Sequence, residues 1–319
     1  MSGKTLKSES TAKYFVYGLN VSSSIPCPEL SPGTGTPDVT VRYGVVPKSL
    51  SDNKDNGSYY EAKQNQLLLS IDSVARYLIS FGNEILVERA PGAGDTEVRL
   101  FLLGSAMGAL LHQRGFLPLH GSAFEANNGC IAVLGDSGLG KSTVAGAFFK
   151  RGHRLVADDI CVVSFQGQNV PIVFPGYPQL KLWADAAKRL GEDLETLPRV
   201  YPSEEKYGLH LEEGFSHNPL PLQRIFVLET SAGRDVSLKR LKGIEKIMAI
   251  INNTYRAQFL DGLNRKKSHF KQCVAVAKHV PVIRVNRPND PLALDDLMKI
   301  LEEDFSKENN CGQKEFDQS

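Results

Sequence analysis

GCIAVLGDSGLGKSTVAGAFFKRGHRLVADD, residues 129–159, is the stretch on which the fold turns. Its opening run CIAVL is apolar throughout and bounded by glycine, the pattern of a buried strand. GDSGLGKST follows at residues 135–143 and satisfies GxxxxGK[ST] through Gly135, Gly140, Lys141 and Ser142. Residues 143–150 then continue as a helix ending at Gly152, and residues 154–157 resume as a strand. Strand, glycine loop, helix and strand in that order predict a βαβ unit and an α/β fold.

Each residue type in the loop has a physical task. Glycine takes positive φ without steric cost, so main-chain N–H groups can close on phosphate oxygens, and the start of the next helix adds its own unpaired donors. The candidate nucleotide cradle is Gly135, Asp136, Ser137, Gly138, Leu139, Gly140, Lys141, Ser142 and Thr143. In such loops the lysine, here Lys141, reaches the β and γ phosphates, and the hydroxyl of Ser142 binds the accompanying Mg²⁺. The competing reading is a glycine-rich αβ turn with an incidental lysine.

The strand after the helix ends on Asp158 and Asp159. A strand returning parallel to the first delivers both to the carboxyl edge of the sheet, where open α/β folds bind ligands. Carboxylates there can hold Mg²⁺ or accept the proton of an attacking hydroxyl. Because successive strand residues point to opposite faces, both can turn toward a phosphate only if the strand has already ended. Solvated loop acids or a helix cap are the alternative. A neutral His120 could orient one of the carboxylates, or simply satisfy a strand end.

Composition narrows the partners. With 37 Lys and Arg against 36 Asp and Glu, the chain has no broad basic field for nucleic acid or an anionic membrane. The uncharged stretch at residues 100–111 is far shorter than the roughly 20 apolar residues a membrane helix needs. MSGKTLKSES lacks an apolar core after its lysines, so cytoplasmic residence is expected. The five cysteines form no CxxC pair, which gives no sign of a disulfide framework or a zinc site.

Outward from the loop, residues 14–21, 38–46, 66–71 and 84–88 read as strands, residues 49–60 as a loop and residues 98–114 as a helix joining two halves. Residues 117–124 and 280–286 read as further strands. Residues 243–263, 267–278 and 291–306 read as helices. The expected division is a β-rich amino-terminal region over residues 1–115, suited to substrate recognition, a P-loop catalytic domain over 116–308, and a disordered tail over 309–319.

HGSAFEANNGCIAVLGDSGLGKSTVAGAFFKRGHRLVADD, residues 120–159, resembles the catalytic domain of HPr kinase/phosphorylase, with its His-Gly strand, GDSGxGKS loop and RGHRLxADD strand. The resemblance implies a P-loop kinase domain of HPr-kinase type using ATP and Mg²⁺. It implies Asp159 as the base acting on a serine hydroxyl, Asp158 with Ser142 on the metal side, Lys141 in the catalytic set, and His120 supporting the acid pair. It also permits a homo-oligomer.

The family's second signature, an acidic residue with an Arg-Gly pair, is replaced by PGYPQLKLW at residues 175–183, so the resemblance does not extend to the reverse phosphorylase reaction or to a metal ligand from that signature, and whether such activity remains is left open. The first 115 residues do not resemble the amino-terminal domain of the regulator that acts on HPr. The layout looks more like the HPr-kinase-like serine kinases found with peptide-modification genes, including those of lasso-peptide clusters. Residues 205–207 and 253–256 fit that likeness, and Lys181, Lys206 and Arg256 are candidate cations for the transferred phosphate. The expected activity is ATP-dependent phosphorylation of a serine on a peptide or small protein. A small-metabolite kinase, a carboxykinase-like activity and an ATP-binding switch without turnover are the rivals.

Overall fold

Alternation of buried and exposed side chains builds the first half of the chain, whereas the central strands of the second half are buried almost throughout. The computed structural model describes residues 11–50, 59–165, 170–201, 204–211, 213–231, 233, 235–288 and 294–307. The tail expected at 309–319 lies outside them, as does most of the loop expected at 49–60. The described chain divides into two units: residues through Phe116 joined by Arg256–His269, and Leu117–Tyr255 with the residues from Phe270 onward. The segment Arg256–His269 thus groups with the amino-terminal unit, although it falls inside the 116–308 stretch read from sequence as the catalytic domain.

The first unit is one eight-stranded sheet, comprising β1 (Ala12–Val16), β2 (Leu19–Ser23), β3 (Ser31–Pro32), β4 (Val39–Tyr43), β5 (Tyr60–Lys63), β6 (Gln66–Ile71), β7 (Ala75–Ser80) and β8 (Glu84–Arg89). Their order is β3-β1-β2-β4-β8-β7-β6-β5. The strand expected at residues 14–21 is in fact the hairpin β1–β2, because Tyr17 and Gly18 both take positive φ and turn the chain. β5 and β7 were not anticipated from sequence. The helix expected at 98–114 is three pieces, α1 (Asp95–Phe101), a π-helical turn (Leu102–Ala106) and α2 (Met107–Gln113), and all of it belongs to this first unit.

The second unit contains β9 (Leu117–Ala126), β10 (Gly129–Leu134), β11 (Leu155–Ala157), β12 (Ile160–Ser164), β13 (Ile172–Phe174), β14 (Gln179–Trp183), β15 (Lys206–His210), β16 (Leu220–Ser231), β17 (Ser237–Arg240) and β18 (Val282–Pro288). Its helices are α3 (Lys141–Lys150), α4 (Ala184–Arg189) and α5 (Gly243–Asn252). A short α6 (Phe259–Gly262) belongs to the first unit, and α7 (Lys266–His279) and α8 (Leu294–Lys307) complete the set. The architecture is mixed α/β, with β10 parallel to β16, β16 parallel to β18, and β9 antiparallel to β10. Since β11 is antiparallel to β9 in turn, it runs in the direction of β10 with β9 lying between them.

The CIAVL run is buried on both faces. Cys130, Ala132 and Leu134 join a core with Ala249 and Ile250 of α5 and Cys273 and Val276 of α7. Ile131 and Val133 face the other way, into a core with Val144 and Phe148 of α3 and Leu297 and Leu301 of α8. A strand sandwiched between helical layers has no polar face, which explains its sequence. Cys161 packs in the first of these cores, and burial pushes its thiol up to about 12, far from a reactive thiolate.

The single helix expected at residues 243–263 is interrupted, and the cause is tertiary. After α5 the main chain of residues 253–255 docks on β9: the His120 N–H donates to the Asn253 carbonyl (2.7 Å) and the Tyr255 N–H to the Pro118 carbonyl (2.9 Å). Gly121 shows how tightly β9 and β10 approach, since a Cβ there would lie 2.6 Å from the Val133 carbonyl oxygen. Gly121→Ala is expected to cost about 1–3 kcal/mol, the usual range for an added methyl in a close-packed core. In urea unfolding the midpoint should fall with an unchanged slope, and an unaltered midpoint would contradict the packing argument.

Candidate functional site

Register brings the site together. Leu134, the last residue of β10, pairs with Gly121 of β9, so His120 stands level with the start of the glycine loop. Ile160, the first residue of β12, pairs with the same His120. β11 and β12 therefore lie end to end along β9, and the break between them is Asp158-Asp159. Asp159 takes φ 70, a left-handed conformation that costs a non-glycine residue energy and is best tolerated by Asp or Asn. That turn ends the alternation of the strand, the condition under which neighbouring carboxylates can serve one site.

The loop has a backbone that glycine adopts readily. Gly138 and Gly140 both take φ 86, and Gly140 is the residue that caps α3. At Gly135, with φ 145, a Cβ would lie 2.9 Å from the Leu228 carbonyl oxygen, so the loop must pass β16 without a side chain. Lys141, 7% exposed, folds across this arch and donates to the Asp136 carbonyl (2.9 Å).

Asp158 is buried and bonded through both oxygens: its Oδ1 accepts from Ser122 Oγ (2.6 Å) and Ser142 Oγ (2.9 Å), and its Oδ2 from the Lys181 N–H (2.8 Å). Asp159 has a side chain 24% exposed and meets Lys181 Nζ at 3.3 Å through Oδ2. His120 links the acid to the loop: its Nδ1 lies 3.2 Å from the Asp159 carbonyl and 3.7 Å from Asp159 Oδ1, and its Nε2 lies 3.1 Å from Lys141 Nζ. A neutral ring protonated on Nδ1 serves both contacts, donating to the carbonyl and accepting from the ammonium. Burial and the Lys141 charge push the His120 pKa below its ordinary value, which favours that neutral form.

Burial alone would raise the Asp159 carboxyl, but Lys181, Lys206 and His120 outweigh it and hold it at about 2. Burial likewise depresses the Lys141 ammonium, against the pull of Asp158 and Asp159. Lys181, 6% exposed, is pushed down by burial, and Tyr177 and Asp159 more than restore it, keeping it well above the usual lysine range.

The structure thus gathers His120, the loop from Ser137 to Thr143, Asp159, Lys181 and Lys206 around one cleft. Asp158 stands behind it. Arg256, the third candidate cation, falls in the other unit and is not among the residues lining the cleft. Sequence reasoning missed Ser122, Trp183, Arg189 and Arg287, the last three of which line the cleft. None of these belongs to a spaced motif; strand register and the α4 and β18 ends deliver them.

No group of three or more His, Cys, Asp and Glu side chains forms a metal cage among the described residues. A magnesium bound with nucleotide needs only one or two protein oxygens, the rest coming from phosphate and water. The hydroxyl of Ser142 on the Asp158 carboxylate at 2.9 Å is a hard-oxygen pair at the head of α3 that suits that requirement. Among the described residues no helix is long and apolar enough to cross a membrane.

Comparison with known proteins points to the same stretch. Residues 116–173 match the family model for the HPr Serine kinase C-terminal domain. Over 57 residues the chain is 49% identical to the HPr kinase/phosphorylase of Prosthecochloris aestuarii, covering 18% of this chain and 17% of that protein. It is 48% identical over 53 residues to that of Treponema pallidum, covering 17% of each. The chain therefore matches only about a sixth of the length of these curated relatives. The solved structure of the Hpr(Ser) kinase/phosphatase from Coxiella burnetii aligns over 63% of this chain and 98% of that one, at TM-score 0.36 and 12% identity. The likeness to the HPr serine kinase C-terminal domain is thus carried by the segment that forms the glycine loop, the acid pair and the strands around them.

Proposed function

We propose that this chain is an ATP-dependent serine kinase, moving the γ-phosphoryl group of ATP to a serine hydroxyl on a peptide or small protein. One observation carries the reading: an unbroken line of contacts from Lys141 on the glycine loop through His120 to Asp159 and on to Lys181. Nucleotide binding alone does not call for a carboxylate in that line. Transfer to a hydroxyl does, because the attacking oxygen must be aligned and must lose a proton.

In this reading the loop amides and Lys141 hold the phosphates, and Ser142 with Asp158 would hold the magnesium. Mg²⁺, when bound with nucleotide, supplies positive charge to the phosphate oxygens. Asp159 accepts the hydroxyl hydrogen and so points the oxygen at phosphorus. Lys181 and Lys206 balance charge beside it, and neutral His120 keeps the Asp159 main chain and the Lys141 ammonium in fixed relation. The family likeness of residues 116–173 supports kinase chemistry, and a peptide acceptor is our extension of it.

The direct test incubates the protein with γ-labelled ATP, Mg²⁺ and pools of serine-containing peptides, and locates phosphoserine by mass spectrometry. Label on a serine is the expected result. ATP binding by calorimetry with no transfer to any peptide or protein would instead favour a switch without turnover.

A further inference from the structure

The cleft continues past the phosphate loop, away from the acid pair. Its lining carries five cations, Lys141, Lys181, Lys206, Arg189 and Arg287, against the two carboxylates Asp159 and Asp185. Lys181 is paired with Asp159 and Arg189 with Asp185 of its own helix. Arg287 is different. Its Nη2 donates to the Leu139 carbonyl (2.7 Å) and its Nη1 to the Pro288 carbonyl (3.3 Å), and no carboxylate pairs with it among the described residues. A guanidinium has five N–H donors and a flat face, so two main-chain contacts pin it in place without using it up. Burial and the neighbouring Arg189 both disfavour its charge, as in a site lacking its anionic or π-rich partner.

Position says which part of a nucleotide that partner is. β10 is flanked by β9 on one side and β16 on the other, and β18 lies beyond β16. Asp159 and His120 sit on the β9 side, so the transferred phosphoryl group belongs there. Arg287, next to last in β18, reaches the loop from the opposite side, where its Nη2 is 3.4 Å from the place a Gly140 Cβ would occupy, close to Thr143. A phosphate chain laid along the loop with its γ end at Asp159 has its nucleoside end at Arg287. The apolar part of the cleft lining includes Leu139, which holds Arg287 through its carbonyl, Ala186 on α4, the helix that carries the neighbouring Arg189, and Leu294 and Leu297 on α8; apolar surface with few fixed polar groups is what small aromatic ligands require.

We infer that the base of the nucleotide is seated between Ala186 of α4 and Leu294 and Leu297 of α8, with Arg287 as the residue that determines preference for it. The inference rests on the nucleotide-binding reading of the loop, and the experiment separates the two. Binding of ATP and of inorganic tripolyphosphate, each with Mg²⁺, is measured by calorimetry on the full chain, for the natural protein and for Arg287→Ala and Arg287→Lys. The natural protein should bind ATP at least tenfold more tightly than tripolyphosphate. Both variants should lose about tenfold or more for ATP, roughly 1.4 kcal/mol per decade, yet bind tripolyphosphate within about twofold of the natural protein. That retained affinity also certifies a folded loop. Equal losses for both ligands in Arg287→Lys, at an unchanged melting temperature, would overturn the base assignment, as would no loss for ATP. Failure of the natural protein to bind either ligand would overturn the loop reading itself.

Discussion

Asp159→Asn should lower phosphoryl transfer by roughly 10² to 10⁴, the range for a positioned acid-base group, while leaving the affinity for ATP within a few-fold. Asparagine suits the test because it tolerates the left-handed backbone that Asp159 adopts, so the variant changes charge and proton affinity without forcing the turn at φ 70 to rearrange. Alanine at this position would mix conformational strain into the rate. With its carboxyl held at about 2, Asp159 is ionised at every ordinary assay pH, so its titration contributes no acid limb to the rate profile between pH 5 and 8. Such a weakly basic group acts mainly by aligning the hydroxyl, which suits a loose transition state in which little proton movement is needed early. The check is a split of kcat from KM by labelled transfer, beside calorimetric ATP binding. A variant within about threefold of the natural rate would remove Asp159 from the mechanism.

Lys141→Ala is expected to act on both binding and rate. Loss of one preorganised cationic donor at the developing charge costs roughly 10² to 10³ in turnover, and ATP affinity should fall with it, unlike in Asp159→Asn. The fold should survive. Among the described residues Lys141, 7% exposed, donates to the Asp136 carbonyl and His120 Nε2 and forms no ion pair, so its removal leaves neither a buried carboxylate unpaired there nor a large apolar cavity. Its burial already depresses the ammonium, which makes truncation easier still. Thermal melting within a few degrees of the natural protein, combined with near-complete loss of labelled transfer, is the expected pair of results. Undiminished transfer would reduce the glycine loop to a structural turn.

The contrast between what sequence revealed and what it hid follows from the range of the forces involved. The run at 130–134, the loop and α3 were legible because a buried strand, positive-φ glycines and a helix start each leave local marks. The breaks at Leu102–Ala106 and after Asn252 left none. The first keeps the apolar periodicity of a helix while its backbone register slips, and the second is made by hydrogen bonds to β9, more than a hundred residues earlier in the chain. In the site the same rule applies. Lys141, Ser142 and the acid pair are neighbours along a motif. Ser122 reaches Asp158 across strands, and Arg287 reaches Leu139 from a strand end near the carboxyl terminus, contacts that only sheet register defines.

Trp183 is the chain's single tryptophan, 42% exposed on the wall of the cleft, with the Lys206 ammonium 5.9 Å from its ring. The protein thus carries a built-in optical gauge of occupancy. Light absorbed by that lone indole is re-emitted from one known spot, so each molecule entering the cleft can be followed in real time without attaching a dye.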